Sequence, residues 1–259
     1  MENNPLLRVE GVTMQFGGLR AIDSVGFTIN PAEIFGLIGP NGAGKTTMFN
    51  VITANYKPSS GTVWLDGQPL SGLKPNQVVN RGIARTFQNI RLFPSMTVLE
   101  NVLIGLDRFI PYSFLEAALR IGRFFRAERQ ARETGMALLE YIGIAEHAHS
   151  LATNLSYGNQ RKVEIARALA TSPKLLLLDE PAAGMNPRET AELAQLIFRM
   201  RDDYGLTVLL IEHDMSFVNT LCERVMVLDY GKPLFSGTPQ QAVNHPEVIA
   251  AYLGDIDYA

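Results

Sequence analysis

Ile34-Phe35-Gly36-Leu37-Ile38-Gly39-Pro40-Asn41-Gly42-Ala43-Gly44-Lys45-Thr46 decides the fold. The apolar run Ile34–Ile38, with Pro31 before it and Gly39 after it, is short enough to be a buried strand. Gly39 to Thr46 matches GxxxxGK[ST], and from Thr47 to Ala54 the apolar residues recur at helical spacing. A strand, a glycine-rich turn and a helix in this order make a phosphate-binding loop. Glycines let the backbone wrap so that its N–H groups face phosphate oxygens, and the helix N-terminus adds unpaired donors and a favourable dipole. Lys45 supplies a positive charge for the β- and γ-phosphates, and the Thr46 hydroxyl is a ligand for Mg²⁺.

Outward from this loop, Leu6–Val12 and Val25–Ile29 alternate like strands, and Val63–Leu65, Lys174–Leu178, Leu206–Ile211 and Val225–Leu228 read the same way. Asn159–Ala170 and Glu189–Tyr204 show helical spacing, and Thr238-Pro239 reads as an N-cap and N1 pair opening a terminal helix. Strands alternating with helices imply a mainly parallel sheet covered on both faces. The early strands, with turn residues Pro58-Ser59-Ser60-Gly61 and Asp66-Gly67, imply a small antiparallel β subdomain beside it. From about Ser95 to Asn154 the patterns are helical, without a strand. Within that stretch Arg120, Arg123, Arg126, Arg129 and Arg132 form a broad basic stripe, either a solvated face over a buried Phe124-Phe125 pair or a surface for anionic lipid.

A nucleotide site also needs a carboxylate for the metal and a group to orient water. Leu175-Leu176-Leu177-Leu178-Asp179-Glu180 offers both at the end of an apolar strand, and ligands of parallel sheets gather at the carboxyl ends of strands. Asp179 is therefore the metal-holding residue and Glu180 the general base for water. A third strand, Thr207–Ile211, repeats the design and brings His213 to the same edge, within reach of the γ-phosphate. His147 and His149 with Glu146 lack a third ligand and are set aside as a metal site. Leu155-Ser156-Tyr157-Gly158-Asn159-Gln160 opens the helix that follows, with Ser156 as N-cap and a second anion-binding helix start. If both helix starts serve triphosphates, one serves a neighbouring subunit's nucleotide.

Composition excludes several classes. With 259 residues and 46% hydrophobic content the chain can bury a sizeable core. Against 26 acidic residues stand 23 Lys and Arg, a net charge of -3, which argues against a dedicated nucleic-acid binder. A single cysteine, Cys222, rules out an internal disulfide framework. No apolar signal core opens the chain and no stretch approaches the roughly 20 apolar residues of a membrane helix, so a soluble, non-secreted protein is expected.

The order of phosphate loop, Gln88, Leu155–Gln160, Asp179-Glu180 and His213 resembles the nucleotide-binding subunits of ATP-binding cassette (ABC) transporters over nearly the whole chain. The resemblance implies an α/β P-loop NTPase cassette with a mainly parallel sheet core, a small antiparallel β subdomain and a helical subdomain inserted over about residues 95–165 of one domain, 1–259. It implies ATP and Mg²⁺ as cofactors. Gly39, Pro40, Asn41, Gly42, Ala43, Gly44, Lys45, Thr46 and Thr47 would bind nucleotide, with Phe16 stacked on adenine. Thr46, Gln88 and Asp179 would hold Mg²⁺, and Lys45, Gln88, Glu180 and His213 would serve hydrolysis. Ser156, Gly158 and Gln160 would contact the ATP of an opposite protomer. Two departures from the family's common pattern stand out: Tyr157 and Asn159 depart from the common LSGGQ form, and Asn186 stands where an aspartate is usual.

Arg85-Thr86-Phe87-Gln88-Asn89-Ile90-Arg91-Leu92-Phe93, together with Tyr157 and the long insert near Leu106 to Arg132, resembles the subgroup serving branched-chain amino acid import. That implies transmembrane permease subunits, a second ABC ATPase subunit in a homo- or heterodimer, and indirectly a periplasmic or extracellular binding protein, with this chain on the cytoplasmic face of the inner membrane. ATPases for urea or short amides and for lipopolysaccharide export read similarly. Soluble ABC ATPases acting on DNA or ribosomes carry arms or paired cassettes that do not fit in this length, and no Asn-Lys-x-Asp motif of a GTPase is present.

Overall fold

The computed structural model describes residues 4–109, 116 and 123–254 and divides the chain into two units, Met1–Arg85 with Lys174–Ala259, and Thr86–Pro173. The first unit opens with strands β1 (Leu7–Phe16), β2 (Leu19–Ile29) and β3 (Ile34–Ile38), helix α1 (Lys45–Ile52), strands β4 (Ser60–Leu65) and β5 (Gln68–Pro69), helix α2 (Pro75–Arg81) and strand β6 (Ile83–Arg85). The second holds helices α3 (Val98–Leu106), α4 (Phe124–Ile142) and α5 (Tyr157–Ala170). The first unit resumes with β7 (Leu175–Asp179), α6 (Pro187–Tyr204), β8 (Thr207–Ile211), α7 (Met215–Leu221), β9 (Arg224–Asp229), β10 (Lys232–Gly237), α8 (Pro239–Val243) and α9 (Pro246–Gly254).

Strands β3, β7 and β8 are buried at every position, as their unbroken apolar runs require of strands covered on both faces. They lie in a six-stranded sheet of order β10-β9-β3-β8-β7-β6, parallel except for the β9–β10 hairpin. A second sheet, β2-β1-β4-β5, is antiparallel throughout. One hydrophobic core gathers residues of both sheets and of α1, among them Leu7, Ile29, Phe35, Met48, Phe49, Leu65 and Leu228.

The expected β subdomain is present, and its first two strands run farther than alternation implied. β1 continues to Phe16 and β2 begins at Leu19, because register shifts near Val12 and Met14 break the period-2 pattern without ending the pairing. Thr238 caps α8 with Pro239 as its first residue, as expected.

In the second unit α3 and α5 approach closely at Gly105, where a Cβ would lie 2.3 Å from the Arg167 carbonyl oxygen. Among the described residues this unit contains helices and one isolated bridge, Thr97 with Leu151. Arg123, Arg126, Arg129 and Arg132 are all exposed on α4 or at its start, whereas Arg120 lies outside the described residues. The pairing of Phe124 and Phe125 is edge-on at 5.4 Å between ring centres, yet Phe125 is exposed, so the pair is not the buried one expected beneath a solvated stripe.

Candidate nucleotide site

The loop Gly39–Gly44 leaves β3 at the carboxyl edge of the parallel sheet and runs into α1. Gly39 has a φ of 143° and its missing side chain matters, since a Cβ there would sit 2.1 Å from the Leu228 carbonyl oxygen. Gly44 occupies the N-cap of α1 and contributes no capping side chain, so the first N–H groups of the helix have no side chain of the cap to satisfy them. Lys45 is buried, and its Nζ donates to the carbonyl oxygens of Gly39 at 2.6 Å and Pro40 at 2.8 Å. The ammonium is thus folded onto its own loop. Asn41, Gly42 and Thr46 are exposed, and Thr47 is half-buried.

Asp179 ends β7 and Glu180 follows it with a φ of +46°. A left-handed glutamate is a strained backbone, held here by the hydrogen bond from the Glu180 N–H to the Ile211 carbonyl at 2.9 Å. That bond ties the turn after β7 to the end of β8, and it keeps the two acidic residues at the sheet edge from which the phosphate loop also springs. His213 lies two residues past β8, largely exposed, with Nδ1 3.9 Å from Glu180 Oε1. Sequence spacing therefore placed Asp179, Glu180 and His213 together on one edge, and the structure agrees.

The neighbour the sequence did not single out is Glu212. It is buried, accepts from the Ala182 N–H at 3.0 Å and the His213 N–H at 3.2 Å, and its carboxyl is raised above the usual glutamate range chiefly by burial. It fixes the backbone on both sides of the Glu180–His213 pair. Arg85 was also missed: at the end of β6, its Nη2 donates to Asp179 Oδ2 at 2.8 Å. Neither role is visible in the sequence, because Ala182 lies 30 residues from Glu212 and Asp179 lies 94 residues from Arg85. Phe16, at the end of β1, is partly exposed and meets the Tyr56 ring edge-on at 5.2 Å, so it is not a core residue.

The donor set suits a hard divalent ion that takes part of its coordination from phosphate. The Asp179 carboxylate already holds a cation, and Thr46 offers an exposed hydroxyl on the first turn of α1. Among the described residues no group of three His, Cys, Asp or Glu side chains forms a protein cage for a metal, the His147–Glu146 neighbourhood included.

The second unit carries the remaining residues. Ser156 is the N-cap of α5, accepting from the Asn159 N–H at 3.4 Å, as expected. Gly158 is buried, and Gln160 Nε2 donates to the Leu155 carbonyl at 3.0 Å. Gln88 itself is exposed, but the backbone on which it stands is clamped from α5. Arg161, fully buried, donates to the carbonyls of Phe87 at 2.6 Å and Gln88 at 2.8 Å. It also meets Glu164 Oε2 at 2.7 Å and the Tyr157 hydroxyl at 3.3 Å. Glu164 Oε1 in turn accepts from the N–H groups of Phe87 and Arg91, both at 3.4 Å. The tyrosine that departs from the common signature thus shares its guanidinium partner with the Gln88 loop.

The other departure also has a structural role. Asn186 is the N-cap of α6: its Oδ1 accepts from the Arg188 and Glu189 N–H groups, both at 3.0 Å, and Glu189 returns the bond to the Asn186 N–H. Asparagine caps as well as aspartate, so the helix start is preserved without the charge.

Residues 22–183 match the family described as ABC transporter. This chain belongs to the ABC transporter family. A second match, described as branched-chain amino acid ATP-binding cassette transporter, covers residues 232–258 of the cassette. The high-affinity branched-chain amino acid transport ATP-binding protein LivG of Escherichia coli (strain K12) is 48% identical to the cassette over 253 residues, 98% of this chain and 99% of that one. A nucleotide-free ATP-binding cassette from an ABC transporter superposes with a TM-score of 0.84 at 31% identity, covering 96% of this chain and 99% of that one. A dimeric cassette in a post-hydrolysis state, bound to ADP and Pi, gives 0.76 at 26% identity over 90% of this chain and 98% of that one.

Proposed function

We propose that this cassette is the ATP-hydrolysing subunit of an importer for branched-chain amino acids, working as one of a pair of cassettes on the cytoplasmic face of separate permease subunits. The cargo rests on the likeness to the LivG protein along nearly all of both chains and on the match of the C-terminal segment. No helix among the described residues is long and apolar enough to cross a membrane.

The observation that carries the chemistry is Glu180, held at the sheet edge by a strained backbone beside Asp179 and His213. ATP enters with its phosphates on the loop Gly39–Gly44 and its adenine on Phe16. Lys45 leaves the Gly39 and Pro40 carbonyls for the β- and γ-phosphates. Thr46, Asp179 and Gln88 would hold Mg²⁺, which when bound would offset the charge of the phosphates. Glu180 accepts a proton from the attacking water as oxygen bonds to the γ-phosphorus, and the bond to the β-phosphate oxygen breaks to leave ADP and phosphate. His213 hydrogen-bonds the γ-phosphate. Ser156, Gly158 and Gln160 of the opposite cassette close over the same triphosphate, so ATP favours the closed pair and its cleavage opens it.

The test is Glu180→Gln, co-expressed with its permease. Hydrolysis falls by at least about a hundredfold, the scale of a lost general base, while ATP stays bound and the cassettes elute as a pair. Leucine uptake in a strain lacking this gene returns with the wild-type chain and not with the variant. Hydrolysis by Glu180→Gln at the normal rate refutes the assignment of the base; normal leucine, isoleucine and valine uptake without the gene refutes the cargo.

A further inference from the structure

We propose that Arg85 is a resident counter-cation for Asp179: it holds the carboxylate in the metal-free cassette, and a divalent ion gains that carboxylate only in competition with it, so that metal enters with the nucleotide rather than ahead of it. The inference rests on the assignment of Asp179 to the metal.

Arg85 ends the edge strand β6, in register with Leu177 of β7, two residues before Asp179. Its guanidinium has three neighbours at once. Nη2 donates to Asp179 Oδ2 at 2.8 Å, Nη1 donates to Asn50 Oδ1 at 2.7 Å, and the central carbon lies 5.3 Å from the centre of the Phe49 ring. Phe49 and Asn50 belong to α1, the helix that begins with Lys45 and Thr46. One planar group therefore ties the strand of the metal carboxylate to the helix of the phosphate loop, and a rigid fork with several anchors fixes the orientation of the carboxylate it grips.

Burial gives the pair its consequence. The Asp179 and Arg85 side chains are only 6% and 8% exposed. A carboxylate this buried is unstable without a cation, and Arg85 supplies one when no metal is there. The same positive charge repels a bare divalent ion, whereas an ion arriving on triphosphate oxygens brings compensating negative charge. Arg85 is thus a positioning residue that biases the site toward the metal–nucleotide complex.

The experiment uses the full-length chain with a saturating non-hydrolysable ATP analogue and follows thermal stabilisation as Mg²⁺ is titrated in from excess chelator. In Arg85→Met the Mg²⁺ midpoint falls at least about tenfold, the lower end of what one nearby charge does to a carboxylate's affinity for a cation. The variant also melts below wild type without metal, and the deficit closes as Mg²⁺ is added. Without nucleotide, Mn²⁺ followed by electron paramagnetic resonance binds Arg85→Met at concentrations that leave wild type unloaded. A midpoint equal to that of wild type, or a melting deficit that stays constant with Mg²⁺, reduces Arg85 to a structural strut and overturns the proposal. Should Arg85→Met fail to fold, Arg85→Lys, which shifts the charge, and Asn50→Ala, which frees Nη1, move the midpoint the same way by less, and no movement in either overturns it. Asp179→Asn separates the two readings. If it leaves the wild-type midpoint in place, the metal assignment falls and takes this inference with it; if it raises the midpoint while the Arg85 variants do not lower theirs, only the role of Arg85 falls.

Discussion

Replacing Glu164 by leucine leaves the Arg161 guanidinium inside the second unit with no opposing charge. Both side chains are essentially unexposed, at 0% for Arg161 and 1% for Glu164, so solvent cannot take over. Removing one partner of such a buried pair costs about 3–5 kcal/mol, whereas replacing both by apolar residues of similar volume is often close to neutral. Glu164→Leu is therefore expected to lower the unfolding free energy by about that amount, and the double variant Arg161→Met/Glu164→Leu to recover the part due to the unpaired charge, the remainder reflecting the backbone groups of Phe87, Gln88 and Arg91 that lose these partners. Equilibrium denaturation of wild type, Arg161→Met, Glu164→Leu and the double variant, read by circular dichroism, closes the cycle. Hydrolysis supplies the second reading. The double variant lacks the donors to the Phe87 and Gln88 carbonyls and the acceptor of the Phe87 and Arg91 N–H groups, so the Gln88 loop is untied from α5 even where stability has returned. Its ATPase rate should stay at least about tenfold down, as expected when a group that must be positioned loses its support. A double variant as unstable as Glu164→Leu refutes the charge argument, and a stable one with normal hydrolysis refutes the claim that this pair positions Gln88.

Asn186→Ala removes both acceptor bonds at the start of α6 and should cost about 1 kcal/mol in thermal or chemical denaturation, with Asn186→Asp restoring it; no change with alanine would show that the cap contributes nothing. Burial raises Glu212 above the ordinary glutamate value, so the folded state binds its proton more tightly than the unfolded one. Stability at this residue is therefore greater at low pH and is lost as pH rises from the unfolded value through the folded one. Glu212→Gln should be at least as stable as wild type at pH 8 and should flatten the pH profile of stability above about pH 4.5, while an unchanged profile would contradict the raised carboxyl. Burial pushes the Cys222 thiol up to about 12, so a thiolate-directed reagent at pH 8 should label it only as the protein unfolds; rapid labelling of the native chain would contradict its burial.

The phosphate loop was legible because everything that makes it is local: an apolar strand, glycines where a Cβ cannot fit, and a helix whose first residues are Lys45 and Thr46. Asp179, Glu180 and His213 were legible for a related reason, since residues just past parallel strands reach the same sheet edge. β6 was not, because Ile83-Ala84-Arg85 is too short to show a period and exists as a strand by pairing with Leu175–Leu177, some ninety positions away. The same separation hid Arg85 itself. Arg161 and Glu164 sit one helical turn apart, a spacing that does not mark them as interior groups, and only the loop at Phe87–Arg91 shows what they hold. β1 and β2 were read short because bulges scramble alternation while leaving the ladder intact.

Lys45 rests on two carbonyls of its own loop, and this has a kinetic consequence. Those two bonds brace the loop from within, so an incoming phosphate swaps partners with the Lys45 ammonium instead of waiting for a floppy segment to condense. Capture of ADP and of ATP should then proceed with nearly equal speed, and the discrimination between them should reside in how long each one stays.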